Sequence, residues 1–314
     1  MKSKSMYPIL IPTLDRYEHF KKCIESLAKN THANKTELVI GLDYPPSEKY
    51  MDGYMKIKEY IPEICGFNKI TVIMHNHNVG AAGNMKYLRD YAFKHYDACI
   101  STEDDNVFSP CFLDFMNKAL CLYSDNPEIQ TVSGYNGYNI TSENYKLLLT
   151  SDCCAWGLGI WKKKEMQFDN IEYSWYKKII FNFYKTFSLY LKYPAGAMML
   201  LYCIRNGYKY GDVFRTIYNI GFNYYQLRPM NSLVRNEGFD GSGLHCGLDE
   251  FGLHNINLDD ASIFDYDNKM MCLTESIKGK KILFRHALPV LFKQRLFKHI
   301  SFWYSYLKYR ILHI

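Results

Sequence analysis

The stretch Asp97-Ala98-Cys99-Ile100-Ser101-Thr102-Glu103-Asp104-Asp105 decides the fold: a short apolar run delivers three consecutive acids. A run of this length reads as a buried strand. Carboxylates bunched where such a strand ends repel one another and are costly to desolvate unless a cation sits among them. In an open α/β sheet, ligands bind at the carboxyl ends of the strands. A hard divalent ion that shares its remaining positions with phosphate oxygens suits such a place. So does a solvated acidic turn ahead of the helix that begins near Pro110, because acids favour helix N-termini.

Outward from the acids, toward the start of the chain, the pattern is regular. Residues 7–11 form an apolar strand run, and 16–29 carry helical periodicity in Phe20, Cys23, Ile24 and Leu27. Glu37–Leu42 reads as the next strand, ending at Asp43 and the turn signal Pro45-Pro46. A polar helix over 48–61 leads to a strand over 70–74, and Gly80-Ala81-Ala82-Gly83 opens a helix through about Lys94. With Ala98–Ser101 this makes β-α-β-α-β-α-β, which predicts an α/β fold with a mostly parallel sheet flanked by helices. Downstream, a helix over 110–123 stops at Asn126-Pro127, and Ile129–Ser133 is another strand. After about residue 150, aromatic-rich helical segments over 173–193 and 212–225 replace the alternation. The expected organisation is a ligand-binding half over 1–150, a helical lobe over 151–277 at the mouth of the sheet, and a basic tail over 278–314.

With 314 residues, 48 % of them hydrophobic, the chain can bury one large domain or a domain with a lobe. Its 28 tyrosines and 16 % aromatic content exclude a disordered protein. The ten cysteines include no C-x-x-C pair, and Cys99, Cys121, Cys203 and Cys272 sit in apolar runs, where a thiol behaves as a small hydrophobe. The vicinal Cys153-Cys154 reads as packing. Together with a start that lacks a signal peptide, this predicts a reducing, cytoplasmic setting. The longest apolar run, 195–204, is too short to span a bilayer. Net charge is +6, but its distribution is uneven: residues 278–314 hold nine Lys/Arg and no acid. The 29 basic residues before them face 32 acids, a balance of −3.

Four features fall at the ends of successive strands, which this topology brings together. They are Pro12-Thr13-Leu14-Asp15-Arg16, Asp43, the stretch from Asn78 through Gly80 and Gly83 to Asn84, and the acid trio. An Asp at a strand end can accept a hydrogen bond from a nucleobase, and Arg16 can hold a base or a phosphate. Gly80 and Gly83 permit close backbone approach at a helix N-terminus that favours anions. Each alone has a plainer reading: a turn former before prolines, or glycines that pack a helix.

The set resembles a nucleotide-sugar glycosyltransferase of the GT-A fold. The start, Ile9-Leu10-Ile11-Pro12-Thr13-Leu14-Asp15-Arg16, is similar to bacterial family-2-type enzymes. Glu103-Asp104-Asp105-Asn106-Val107-Phe108-Ser109-Pro110, with Phe112, Phe115 and Met116 behind it, resembles the N-acetylglucosaminyltransferase I type. So do Trp156-Gly157-Leu158-Gly159 and the later Arg228-Pro229 and Gly238-Phe239-Asp240-Gly241-Ser242-Gly243-Leu244-His245. The resemblance covers about 7–250. It implies a metal-dependent, inverting transfer from a nucleotide sugar, a UDP-sugar favoured, to a glycan or lipid-linked acceptor in surface polysaccharide or lipopolysaccharide synthesis. Asp43 and Arg16 would contact the nucleoside, Glu103 and Asp104 the sugar and ribose, and Asp105 would ligate Mn²⁺ or Mg²⁺.

An inverting transfer also needs a carboxylate facing the acceptor hydroxyl. The family places it in a W-D-D-W-like stretch, whose counterpart here is Gly211-Asp212-Val213-Phe214, without the flanking Trp; Asp169 is the second choice. The plainer reading is that Asp212 caps its helix. Gly241, Ser242 and Gly243 can close over a diphosphate through backbone N–H groups. A C-terminal His in several GT-A enzymes implies a metal or phosphate contact for His245, against the alternative of a surface or packing histidine.

In the tail, Phe292, Leu296, Phe297, Ile300, Phe302, Trp303, Tyr304 and Leu307 interleave with Lys293, Arg295, Lys298, Lys308 and Arg310. Such a helix over 286–314 suits an anionic membrane surface and a peripheral position on the inner face of the cell membrane. The alternative is aromatic packing on the protein with solvated charges. No nucleic-acid motif accompanies the basic residues. Two rivals to glycosyl transfer exist. A nucleotidyltransferase making an activated sugar would carry a Gly-rich basic loop where Pro12-Thr13-Leu14 stands. A non-catalytic glycan-binding member would have no need to keep all three acids.

Overall fold

Strand β1 (Ile9–Thr13) hides Ile9, Leu10 and Ile11 completely, as a strand must when helices cover both faces of its sheet. A computed structural model describes residues 6–138, 142, 144–241, 256–258, 260–266, 269–272 and 296–312, the side chains of 296–299 and 312 excepted. In it β1 pairs in parallel with β2 (Glu37–Leu42) and with β4 (Ala98–Ser101), and β2 pairs in parallel with β3 (Lys69–Met74). Between them run α1 (Tyr17–Ala28), α2 (Met51–Tyr60) and α3 (Gly80–His95). Helix α1 buries Phe20, Cys23, Ile24 and Leu27, a stripe at helical spacing, in the same core as Ile9 and Ile11. Leu10, Val39 and Cys99 point the other way and pack with Leu88 and Ala92 of α3. The period-two alternation of each strand therefore feeds two separate helix layers.

Beyond β4 the sheet becomes mixed. β8 (Leu158–Trp161) is antiparallel to both β4 and β6 (Ile129–Ser133), and β9 (Tyr225–Pro229) is parallel to β6. β7 (Leu147–Thr150) is antiparallel to β9, and β11 (Met270–Cys272) is parallel to β7. Nine strands thus lie in the order β3-β2-β1-β4-β8-β6-β9-β7-β11, drawn from both sides of residue 150. A separate two-stranded ribbon joins β5 (Asn106–Phe108) to β10 (Val234–Asn236). This is the expected α/β class, a mostly parallel central sheet flanked by helices.

The segment over 173–193 is not one helix. It divides at Asn182 into α6 (Tyr173–Phe181) and α7 (Phe183–Lys192), because the Asn182 side chain accepts the Lys185 N–H and starts a new helix. The apolar run over 195–204 forms α8 (Pro194–Asn206), which ends at the left-handed Gly207. Helix α9 (Gly211–Phe222) ends at Asn223, also left-handed, so Tyr225 opens β9 instead of closing a helix. Helices α4 (Phe112–Leu122) and α5 (Lys162–Asp169) flank the sheet, and Lys164 of α5 donates to the carbonyls of Tyr123, Asn126 and Ile129 just past α4. The last described helix, α10 (Leu296–Leu312), buries Phe302 and Tyr306 among Tyr176, Leu200 and Phe214. The packing alternative for the tail aromatics therefore holds for these two residues. The nine cysteines among the described residues are free thiols. No described helix is long and apolar enough to cross a membrane.

Candidate functional site

Because β4, β1, β2 and β3 are neighbours, their carboxyl ends form one edge. Asp104 and Asp105 are buried there, between β4 and the β5–β10 ribbon. Thr13 Oγ1 donates to Asp104 Oδ2 at 2.8 Å. Arg16 Nη2 donates to Asp104 Oδ1 at 2.7 Å and to Asp105 Oδ2 at 2.6 Å. The other oxygen of Asp105 accepts from Asn236 Nδ2 at 2.6 Å, and Asn236 Oδ1 in turn accepts the Gly238 N–H at 2.9 Å. Gly238 is held tight: a Cβ there would stand 2.1 Å from Asp105 Oδ2. Glu103 keeps an exposed face, and its Oε2 accepts from Trp156 Nε1 at 2.9 Å.

Two buried carboxylates thus share one guanidinium, and a third, Glu103, stands beside them. Protein crowding, then Asp105 and Asp104, lift the Glu103 carboxyl above the ordinary glutamate value despite the Trp156 bond. Burial also lifts Asp104, against the pull of Arg16. The excess negative charge calls for a cation. Asp105 spends one lone pair per oxygen on Arg16 and Asn236 and keeps a second on each, so it can serve as one direct ligand. Among the described residues, no three His, Cys, Asp or Glu side chains are grouped to hold an ion by themselves. The donor set therefore fits an ion that takes most of its oxygens from phosphate and water.

Asp43 leaves a strand two places from β4, about 10 Å away at ordinary strand spacing. It is buried, with Oδ1 accepting the N–H groups of Tyr44 and Val79 and Oδ2 accepting Asn78 Nδ2 at 3.1 Å. The carboxylate thereby ties the segment after β3 to the end of β2. Beside it Gly80 opens α3 at φ 72°, a conformation that favours glycine, with open space where a side chain would be. Pro12 and Thr13 lie on β1 at the same edge. Asn84 is turned inward: its amide donates to the Gly41 carbonyl, and its oxygen pairs with His75 Nε2. Both ends of that side chain are engaged within the fold, locking α3 to β2.

Asp212 lies exposed in the first turn of α9, where its Oδ1 accepts the Val213 N–H. The residue at the cap position of α9 is Tyr210, with no side-chain cap bond, so Asp212 sits inside the first turn and does not cap the helix. Asp169 is exposed at the end of α5, its carboxyl raised by burial and by Glu165. Among the described residues, neither is hydrogen-bonded or ion-paired to the acid trio. Asp152, Tyr138 and buried Arg228 form a further cluster, with Tyr138 Oη donating to Asp152 Oδ1 and Arg228 Nη2 to Asp152 Oδ2. The Tyr193 hydroxyl, raised by burial, feels both Asp152 and Asp212. Gly241 is left-handed at φ 84°, while Ser242, Gly243 and His245 lie outside the described residues.

Sequence reasoning passed over Asn236, which reaches Asp105 across 131 residues. Its only signal was its place two residues ahead of Gly238. The bond from Trp156 to Glu103 was equally unread, although Trp156 stood in a quoted motif.

Fold and site together define an α/β protein with a charge-imbalanced acidic centre at the carboxyl edge of its parallel strands. No protein-family pattern matches the chain, and no curated protein matches it. Among solved structures, it is similar to the mannosyltransferase PcManGT from Pyrobaculum calidifontis in complex with GDP-Man and Mn²⁺, at 13 % identity and a TM-score of 0.35. That match covers 52 % of this chain and 46 % of the other. It is also similar to S. aureus TarS 1-349, at 14 % identity and TM-score 0.34, covering 52 % and 49 %, and to the same protein in complex with UDP-GlcNAc, at 16 % and 0.30, covering 45 % and 38 %. The chain spans about half, or less, of the structures it matches.

Proposed function

We propose that this chain is a glycosyltransferase that moves a sugar from a nucleotide sugar, a UDP-sugar favoured, to a glycan or lipid-linked acceptor with inversion. The carrying observation is the set Glu103, Asp104 and Asp105, with the Arg16 guanidinium bridging the two aspartates, at the carboxyl edge of the parallel strands. A bound Mn²⁺ or Mg²⁺, held by Asp105, would supply Lewis-acid neutralisation of the departing nucleoside diphosphate.

This chain's own groups do the rest. Asp43 Oδ2 retains a lone pair for a nucleobase N–H, and Asn78 fixes that carboxylate in place. Arg16 holds Asp104 and Asp105 in register, so the acids are oriented before the donor arrives. Glu103, open to solvent and braced by Trp156, meets the sugar hydroxyls. Asp212 takes the acceptor proton as the new bond forms. The work belongs to bacterial surface polysaccharide or lipopolysaccharide synthesis at the cytoplasmic face of the membrane, with residues 286–314 against the lipid.

The test is a thermal-shift panel of UDP-, GDP- and dTDP-sugars with and without Mn²⁺. A donor at about 100 times its Kd adds roughly 2.7 kcal/mol of stability. No metal-dependent shift with any donor sinks the reading. Asp212→Asn keeps donor affinity and lowers turnover about 10²- to 10⁴-fold; near-normal turnover removes Asp212 from the chemistry.

A further inference from the structure

Helices α7 and α10 each carry two apolar faces, although an ordinary surface helix carries one. On α10, Phe302 and Tyr306 face inward, while Ile300, Tyr304, Leu307 and Ile311 form an exposed stripe at heptad spacing. On α7, Thr186 and Leu189 face inward, while Tyr184, Phe187 and Leu191 face out. Tyr184 is 83 % exposed, Ile311 71 %, Tyr304 68 % and Leu191 67 %. The helices touch through aromatic rings: Tyr190 stacks on Phe302 at 5.2 Å and Phe187 meets Trp303 at 6.0 Å, while Phe181, at the end of α6, stacks on Tyr309 of α10 at 5.6 Å. Tyr184 of the α7 stripe borders the same recess as Arg310 of α10, so the surfaces of the two helices meet there. Apolar side chains gathered in this way on a water-facing surface mark a docking site.

Charge identifies the occupant. Residues 173–211 contain six Lys/Arg and no acid, and 278–314 contain nine and no acid. Of the second segment, the described helix α10 touches the first segment, and both stretches are free of acids. Where they meet, Lys178 and Arg310 line a recess of about 360 Å³ with Phe181, Asn182, Phe183 and Tyr184. No carboxylate among the described residues pairs with either cation. Two cations over aromatic walls suit a phosphate monoanion whose acyl chains continue into an apolar phase.

We propose that the α7–α10 face docks on an anionic bilayer leaflet, with a phospholipid phosphate held between Lys178 and Arg310. This deepens the membrane-face part of the proposed function and rests on it, but it does not depend on sugar transfer. It moves the contact from the tail alone to a composite surface that includes residues 178–191.

The test is co-sedimentation of the full chain with vesicles of phosphatidylcholine alone or with 30 % phosphatidylglycerol (a composition on the order of an anionic leaflet). The whole chain binds the anionic vesicles and not the neutral ones. Lys178→Gln with Arg310→Gln weakens partition about 25-fold, at about fivefold per cation. Tyr184→Ser with Leu191→Ser, on exposed positions that leave the melting temperature unchanged, weakens it at least tenfold (about 0.8 kcal/mol per buried CH₂). Wild-type-like partition of both double variants overturns the composite surface while leaving the tail reading alive. Equal binding to neutral vesicles, or none to either, overturns both. Loss of a self-associated species in Tyr184→Ser/Leu191→Ser, without vesicle binding by the wild type, assigns the face to a second copy and overturns the proposal. None of these outcomes touches donor binding, which is read separately by thermal shift.

Discussion

Glu37 and Glu103 sit at opposite edges of the same parallel sheet, and the protein treats them in opposite ways. Glu37, at the amino end of β2, is buried. Its Oε1 accepts from Lys69, Thr71 and Tyr91, and its Oε2 accepts from Tyr96. Burial alone would raise this carboxyl, but these four donors outweigh it and pull it down to about 2. Glu103, just past the carboxyl end of β4, has one donor and two acidic neighbours, and its carboxyl is lifted. One edge is saturated with partners and closed. The other keeps negative charge in excess, with Glu103 open to solvent. A fold that can satisfy a glutamate completely at one edge has left its opposite edge short of cations. That shortage is what the proposed function assigns to a ligand at the carboxyl edge, whereas the amino edge is closed by its own partners.

The comparison can be broken at several points. The largest effect is expected from Asp105→Ala, which removes the residue bridging Arg16 and Asn236. Metal-dependent donor stabilisation, about 2.7 kcal/mol in the wild type at about 100 times Kd, should vanish, and an unchanged thermal shift would place the ligand elsewhere. Next comes Gly238→Ala. Its Cβ would collide with Asp105 Oδ2 and crowd Arg16, so the acid must swing away. Donor affinity by titration calorimetry should fall about tenfold, or 1.4 kcal/mol; full affinity would show that Asp105 need not stand where it does.

At the other edge, Glu37→Gln should cost about 2 kcal/mol at pH 7 by denaturant unfolding, after allowing for the solvent-exposed Lys69. The sign follows from the lowered carboxyl: folding favours its ionised form. The contribution is therefore complete above the unfolded value near 4.5 and is lost as pH falls toward 2. The wild type minus variant difference should shrink across that window, and a pH-independent difference would remove Glu37 from the ledger. The smallest effect is Glu103→Gln, within about 0.5 kcal/mol of wild-type stability. A loss as large as that of Glu37→Gln would erase the contrast between the edges.

Local signals carried much of the architecture. Glu37–Leu42, Ala98–Ser101 and Ile129–Ser133 are short apolar runs closed by turn residues, and each is a strand with those bounds. The break at Asn182 escaped because apolar periodicity continues on both sides of it; only the side-chain contact to Lys185 shows where one helix stops. Asn84 looked like a cleft residue from its neighbours Gly80 and Gly83, yet its rotation on α3 turns it toward Gly41. The strands beyond residue 133 are short, and their sheet partners lie far along the chain. A run such as Leu147–Thr150 does not declare that it will lie between β9 and β11.

By itself, the sequence determined the β-α succession, the position of the three acids after a buried strand, and the acid-free character of 173–211 and 278–314. These are properties of neighbouring residues, governed by period, turn chemistry and composition. Tertiary structure alone decided that Asn236 and Gly238 clasp Asp105, that one guanidinium serves two carboxylates, and that α7 and α10 lie side by side. Such contacts join residues 88 or more positions apart. Their energies arise only once the sheet and its ribbon have closed, so no local window of the chain contains them.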